Sequence, residues 1–285
     1  AYEGRCKAAF GQSFRFHQKA YVTNTCNIME VTLERFEELI SDLEKGNVRV
    51  AEKKNGVWVV NKWVKEVILA GFRLGAVQDM SQGQFSFFDK STFPVRTFSS
   101  EDGVRIVPGG TSIRRGAYVS KGAIVMPPSY INVGAFVDEG TMVDSHVTIG
   151  SCAQVGKHIH ISAATQIGGV LEPAGAMPTI IEDGAFVGGN CGIYEGTIVQ
   201  ENAVIASGVI ITSSTAIFDA TTGDFVPRNA DGRVVVPRGA VVVSGSRPVR
   251  RGVAAGSGVS LYCPVIVKYR DEKTSGSVVL EDMLR

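Results

Sequence analysis

The sequence is poor in the residues that most often announce a chemistry. Of 285 residues only four are His, two are Trp and five are Cys. Charge nearly cancels, with 28 Asp and Glu against 29 Lys and Arg. A net charge of +1 argues against a dedicated nucleic-acid or polybasic membrane binder, and leaves room for a local basic site. No apolar run reaches the ~18 residues that a membrane-spanning helix needs. The opening AYEGRCKAAFGQSF holds no long apolar segment of the kind a secretory leader carries. Cys6, Cys26, Cys152, Cys191 and Cys263 are odd in number, widely spaced and without a CxxC. That argues against a disulfide framework and for single buried or half-buried thiols in a reducing cytoplasm. His158 and His160, two apart, are not expected to hold one metal jointly within a subunit. Only His146 is available to complete a three-His site between subunits. No metal is expected, and each His reads as a solvated or hydrogen-bonded strand residue.

Two things are plentiful: glycine, at 33 residues, and a six-residue rhythm. From Ile113 every sixth residue is Ile or Val: Ile113, Val119, Val125, Ile131, Val137, Val143, Ile149, Val155, Ile161 and Ile167. The frame breaks at GGVLEPAGAMPT (168–179) and resumes through Ile181, Val187, Ile193, Val199, Ile205, Ile211 and Ile217. Four residues after each of these the side chain is small or β-branched, and Gly often stands just before it, as at Gly116, Gly140 and Gly196. Period six excludes a helix of period 3.6. A plain strand would not carry a turn signal every six residues. The pattern predicts a parallel β-helix of short strands with a corner in every hexapeptide, one Ile or Val stacking inward on its copy a coil away. Glycine and small residues let the backbone turn the corner. The break at 168–179 reads as a loop extruded from a corner, where repeat proteins commonly carry their binding face.

The flanks differ. Thr32 to Lys45 has helical spacing, with Leu33, Phe36, Leu39, Ile40 and Leu43 in step and Gly46 just past the end. VRVAEKKNGVWVV (48–60) reads as a hairpin around Asn55-Gly56. Asn61 then caps a second helix with Trp63, Val64, Val67, Ile68 and Phe72 on one side. The expected organisation is a small α+β domain over 1–104 and a β-helix over 105–245 with loops near 168–179 and 218–234. A C-terminal cap over 246–285 follows, built from a strand at 261–270 and a short helix at 280–285.

The acidic residues Asp138, Glu139 and Asp144 crowd into one coil, VDEGTMVDSHVTIGSCAQVG. A carboxylate in a semi-enclosed cleft can take a proton from an attacking amine. The pattern [Ile/Val]-x-x-Gly-[Ala/Thr]-x resembles the hexapeptide-repeat proteins, left-handed β-helices that are mostly acyltransferases. More specifically, AFVDEGTMVDSHVTIGSCAQVGKHIHIS, IGGVLEP, PTIIED, VVVSGS, SLYCPVIVKYRDEKT and RVAEKKNGVWVVNKWVKEVIL resemble the tetrahydrodipicolinate N-succinyltransferase family, from about residue 31 to the end.

The resemblance implies succinyl transfer from succinyl-CoA to tetrahydrodipicolinate, in a cytoplasmic homotrimer with its sites in clefts between neighbouring β-helices. It implies coenzyme A as co-substrate, no metal, and no nucleic-acid or membrane partner. Asp144 is the acceptor-site and catalytic carboxylate. Arg105, in GVRIVP, grips a substrate carboxylate, as a planar guanidinium can. Arg247, Arg250 and Arg251 are the candidates for the coenzyme's phosphates, with Lys268 and Arg270 behind them. The commoner family form reads GARSEVVEG where this chain has GGNCGIYEG, so a family glutamate is replaced by Gly192. Glu195, and after it Glu172, are the candidates to serve in its place. Two alternatives stand beside this reading: an acetyl-CoA-dependent N-acyltransferase of the same fold acting on another amine, and a non-catalytic β-helical scaffold. The inserted loop and the acidic coil argue against the scaffold.

Overall fold

The computed structural model describes residues 31–270, and the described residues from Thr32 onward belong to one compact unit. Cys6, Cys26, His17 and the expected helix at 280–285 lie outside the described residues.

The hexapeptide frame becomes a left-handed parallel β-helix of triangular section. Each step is a two-residue strand whose second residue is the in-frame Ile or Val. Face 1 stacks Ser112–Ile113, Tyr130–Ile131, Thr148–Ile149, Gln166–Ile167, Gly192–Ile193 and Ile210–Ile211. Face 2 stacks Tyr118–Val119, Phe136–Val137, Gln154–Val155, Ile180–Ile181, Ile198–Val199 and Val235–Val236. Face 3 runs from Arg105–Ile106 through Ile124–Val125, Met142–Val143, His160–Ile161, Phe186–Val187 and Val204–Ile205 to Ala240–Val243. Val137 pairs with Val155, an 18-residue step that fixes the coil. The inward side chains from Ile113 to Ile211 are at most 4% exposed and form one apolar column. Val155 pairs with Ile181 and Val199 with Val236, so the two longer steps mark excursions that leave the register intact.

The corners need a left-handed backbone. Gly116, Gly134, Gly140, Gly184, Gly196 and Gly208 all have positive φ there. In other copies of the same position stand His146 (φ 62°), Cys152 (φ 69°), His158 (φ 52°), Asn190 (φ 57°) and Asn202 (φ 60°). His158 is therefore a corner residue and not the strand residue that its two-residue spacing from His160 suggests. Its ring lies against Gly140 one coil below, in space that a side chain at 140 would need.

Ile217 also departs from the pattern. It is buried in the column but belongs to no rung, and the next rung after Ile211 is Val236. Thr212, Ser214 and Thr215 bond to one another there, and such local hydroxyl bonds turn a chain out of a ladder. The excursion carries its own antiparallel pair, Phe218–Asp219 with Asp224–Phe225, where the sequence suggests a loop. The strand expected over 261–270 is two strands in two sheets. Val265–Tyr269 closes face 3 against Ala240–Val243, and Ser260–Tyr262 pairs with Ser246–Pro248 in a projecting arm. Pro264 divides them, because it has no N–H to give to a ladder.

The N-terminal segment covers face 2. Helix α1 (Leu33–Glu44) starts at Thr32, whose hydroxyl accepts from the Arg35 N–H, and ends at left-handed Gly46. Strands β1 (Ala51–Lys54) and β2 (Val57–Val60) form the expected hairpin around Asn55-Gly56. Helix α2 (Lys62–Leu74) follows. Asn61 stands at its N-terminus without capping it, because the side-chain amide donates to Arg49 O and Glu52 Oε1 instead. Trp63 lies exposed beside Arg35, whereas Lys65 is fully buried. Arg49 stacks 3.7 Å above the Phe136 ring and bonds Gln154 Oε1 at 3.0 Å. Trp58 Nε1 donates to Glu182 Oε1 at 2.6 Å. These contacts bury the outward residues of face 2.

Replacing one member of the column should be costly. Ile161→Ala is expected to lower the unfolding free energy by about 3 kcal/mol in denaturant titration. Gln166→Ala, on the exposed side of a neighbouring rung, should change it by less than about 0.5 kcal/mol.

Candidate active site

Asp144 directly follows the face 3 strand Met142–Val143 and opens the corner toward face 1. Its orientation is set locally. The Asp144 N–H donates to Ile161 O, its C=O accepts from Ser129 Oγ, and carboxylate Oδ1 accepts the Ser145 N–H at 2.7 Å. The other carboxylate oxygen lies 3.8 Å from His160 Nε2. His160 is buried beside Phe186, with ring centroids 5.3 Å apart. The sequence reading gives His160 no role and leaves this neighbour of Asp144 unnoticed. The signal lies in the 18-residue step, which sets His160 directly above Met142, two residues short of the position over Asp144.

Arg105 is exposed on the first strand of face 3. It pairs with Ile124, which pairs with Met142, so it lies about 10 Å along the axis from Asp144's rung at ~4.8 Å per strand. Arg247, Arg250 and Arg251 are gathered on the projecting arm, all exposed. The arm is moored to the corner that Asp144 opens. The ridge climbs by backbone bonds from Ser145 to Ala164, Ala163 to Asn190 and Gly189 to Gly208. At its top Ser244 Oγ donates to Gly208 O, and the Ile210 N–H donates to the Tyr262 hydroxyl. One ridge thus carries a carboxylate low and a cationic arm high, three coil steps or about 14 Å apart.

Glu195 lies on a different ridge, the corner from face 1 to face 2. It is exposed. Here the 168–179 loop leaves the helix. Gly168 packs directly under Tyr194 and the Glu195 N–H, and Gly169 lies so close to the Gly150–Ser151 backbone that neither glycine could carry a Cβ. Exposed Glu172 is part of this loop. Within one chain Glu195 and Asp144 are separated by the whole of face 1. Gly192 leaves a gap on that face, and the structure fills it. A Cβ there would stand 2.7 Å from Tyr194 Cε2 and 3.0 Å from the Tyr194 hydroxyl, so the tyrosine ring occupies the space of the missing side chain. Strand alternation puts positions 192 and 194 on the same face, but the sequence does not show that the strand ends at Ile193 and that the Tyr194 ring closes over Gly192.

A cavity of about 80 Å³ lies under the 212–234 excursion, lined by Ile217, Val226, Arg228 and Val234, away from all of these residues. Among the described residues no group of three or more His, Cys, Asp or Glu is arranged to hold a metal ion. No described helix is long and apolar enough to cross a membrane. Cys152, Cys191 and Cys263 are buried free thiols, and burial pushes the Cys152 thiol up to about 12.

Comparison with known proteins finds two family matches. Residues 15–74 match the family described as tetrahydrodipicolinate N-succinyltransferase N-terminal, and residues 178–213 match the hexapeptide repeat of succinyl-transferase. The chain is 45% identical over 274 residues to the 2,3,4,5-tetrahydropyridine-2,6-dicarboxylate N-succinyltransferase of Sodalis glossinidius, covering 95% of both chains. Proteins of the same name are 48% identical in Legionella pneumophila (87% of both chains) and 47% identical in Paraburkholderia phymatum (86% of both).

The filled gap at 192 can be tested by a double-mutant cycle. Gly192→Ala should cost about 1–2 kcal/mol, because the Tyr194 ring must be displaced. In a Tyr194→Val background the same substitution should cost less than about 0.5 kcal/mol. Equal costs in the two backgrounds, read from denaturant midpoints, would show that Tyr194 does not occupy the space.

Proposed function

The chain belongs to the tetrahydrodipicolinate N-succinyltransferase family, and we propose that it transfers succinyl from succinyl-CoA to the amino nitrogen of tetrahydrodipicolinate in its hydrated, ring-opened form. The products are N-succinyl-2-amino-6-oxopimelate and CoA, in the succinylase branch of lysine and diaminopimelate biosynthesis. The observation that carries this is similarity along the whole chain, at 45% identity over 95% of its length, covering both the α+β segment and the β-helix.

The thioester is already activated, so direct transfer suffices. The amine nitrogen attacks the thioester carbon, a C–N bond forms, and the tetrahedral centre collapses with loss of the C–S bond. The nitrogen's proton passes to a base and the departing thiolate is protonated. Holding both substrates in one cleft supplies most of the advantage, since it replaces a collision with a prearranged encounter. Asp144 is the base in this reading. Its carboxylate is aimed by the Ser145 N–H, and His160 stands beside it to relay or stabilise charge. Backbone N–H groups at the coil corners stabilise the oxyanion. Arg105 holds an acceptor carboxylate.

The ridge from Asp144 to the arm matches an extended co-substrate. Its thioester end lies by Asp144, and Arg247, Arg250 and Arg251 take the phosphates. Glu195 belongs to the other ridge. A site that uses both Asp144 and Glu195 draws them from two copies, as a homotrimer with its clefts between neighbouring β-helices would provide. The enzyme works in the cytoplasm.

Thiol release with tetrahydrodipicolinate as acceptor tests the reaction. Fast release with succinyl-CoA, and at least about a hundredfold slower release with acetyl-CoA, is the expected result; the reverse preference would overturn the donor. In the same assay Asp144→Asn should lower kcat by about 10²- to 10⁴-fold with an unchanged melting temperature. A near-normal kcat would remove Asp144 from the chemistry. Arg105→Ala should raise the acceptor KM and leave the KM for succinyl-CoA alone.

A further inference from the structure

The fully buried Lys65 on α2 has a role in neither the fold pattern nor the proposed chemistry. Its Nζ donates to Ala176 O at 2.6 Å, and Ala176 lies in the 168–179 loop, 111 residues away in sequence. No carboxylate lies within ion-pair distance of Lys65 among the described residues. The buried Cys152 thiol supplies no counter-charge at neutral pH, because burial raises it to about 12. Burial correspondingly pulls the Lys65 ammonium below the usual lysine range. A lysine placed only to fill space would be better as methionine, since burying a charge without a counter-ion costs stability. The loop's other fixings all lie close to its ends. The Val170 N–H donates to Ser151 O, and Met177 is buried against Ala51, Ile180 and Ile198 while its C=O accepts the Gly196 N–H. Lys65 adds a side-chain hold from α2 next to Met177, through a carbonyl that any residue at 176 would present.

We propose that Lys65 is a positioning residue: its ammonium clamps the 168–179 loop from the N-terminal segment, so that α2 sets the shape of the substrate cleft on the ridge that carries Glu195. This rests on the reading that the loop lines the cleft, and it gives the α+β segment a part in catalysis without any contact with the reacting atoms.

Hydrogen exchange and kinetics on the full-length enzyme separate the possibilities. In Lys65→Met the Val170, Ala176 and Gly196 amides should exchange at least about tenfold faster, while amides in the coil strands keep their protection. The melting temperature should not fall, because an unpaired buried charge is removed. The acceptor KM should rise about tenfold and kcat stay within about twofold. Met177→Ala, which loosens the same end of the loop by a different contact, should raise the same KM. Ile68→Val, which trims the same helix where it meets Gly134, should lower stability and leave KM unchanged. Unaltered loop exchange in Lys65→Met would overturn the clamp. Faster exchange with an unchanged KM would overturn the positioning role. A wild-type enzyme with no turnover would instead sink the functional reading, and the exchange data would still decide the clamp.

Discussion

One constraint governs the molecule: each inward Ile or Val must sit on its copy 18 residues away. A single coil cannot bury its own apolar side chains, so the column forms only when coils stack in register. Register is held so strictly that both excursions, at 168–179 and 212–234, return the chain to the same rung positions. The outward side chains inherit that order. Arg105, Met142 and His160 share a file on face 3 because Ile106, Val143 and Ile161 share one inside. Asp144 meets His160 for the same reason.

The second dependence is on face 2. A β-helix presents three flat outer faces, and this one is paved by the N-terminal segment through Arg49 on Phe136 and Gln154, Trp58 on Glu182, and Lys65 on the extruded loop. These are mixed contacts in which a polar end finds a partner and an apolar body is buried, as suits a surface of strand backbones and alternating side chains. Asp144, the basic arm and Glu195 lie instead on the two ridges that border face 1. One carries Asp144 and the basic arm, the other Glu195 and the loop. Their separation within a chain is what gives a second copy a function in the proposed site.

The Gly192 and Tyr194 pair shows how a departure from a family pattern is absorbed. Loss of a side chain from a packed outer face would leave a hole, and a ring from two residues along closes it. The local surface is therefore remodelled and no empty socket is left for another carboxylate to enter. Exposed Glu195 lies beyond that ring.

Much of the architecture was legible in the chain itself. Hexapeptide spacing from Ile113 to Ile211, the Asn55-Gly56 turn, the helical spacing from Thr32 to Lys45 with Gly46 past its end, and the extruded loop at 168–179 are all local or periodic signals, and each appears where those signals put it. Local signals failed where a residue had a distant alternative. Asn61 bonds the hairpin instead of its helix, Trp63 turns outward while Lys65 turns in, and Pro264 splits one apolar run between two sheets. His158 reads as a strand residue until the corner's positive φ is seen. The pairing of Asp144 with His160, the mooring of the arginine arm above Asp144, the ring over Gly192 and the reach of Lys65 to Ala176 were decided by tertiary structure alone. The ring closes over Gly192 because the strand ends at Ile193; the other three join residues through the pitch of the coil or across the domain junction, and a one-dimensional pattern records what faces inward but not which outward groups the winding brings together.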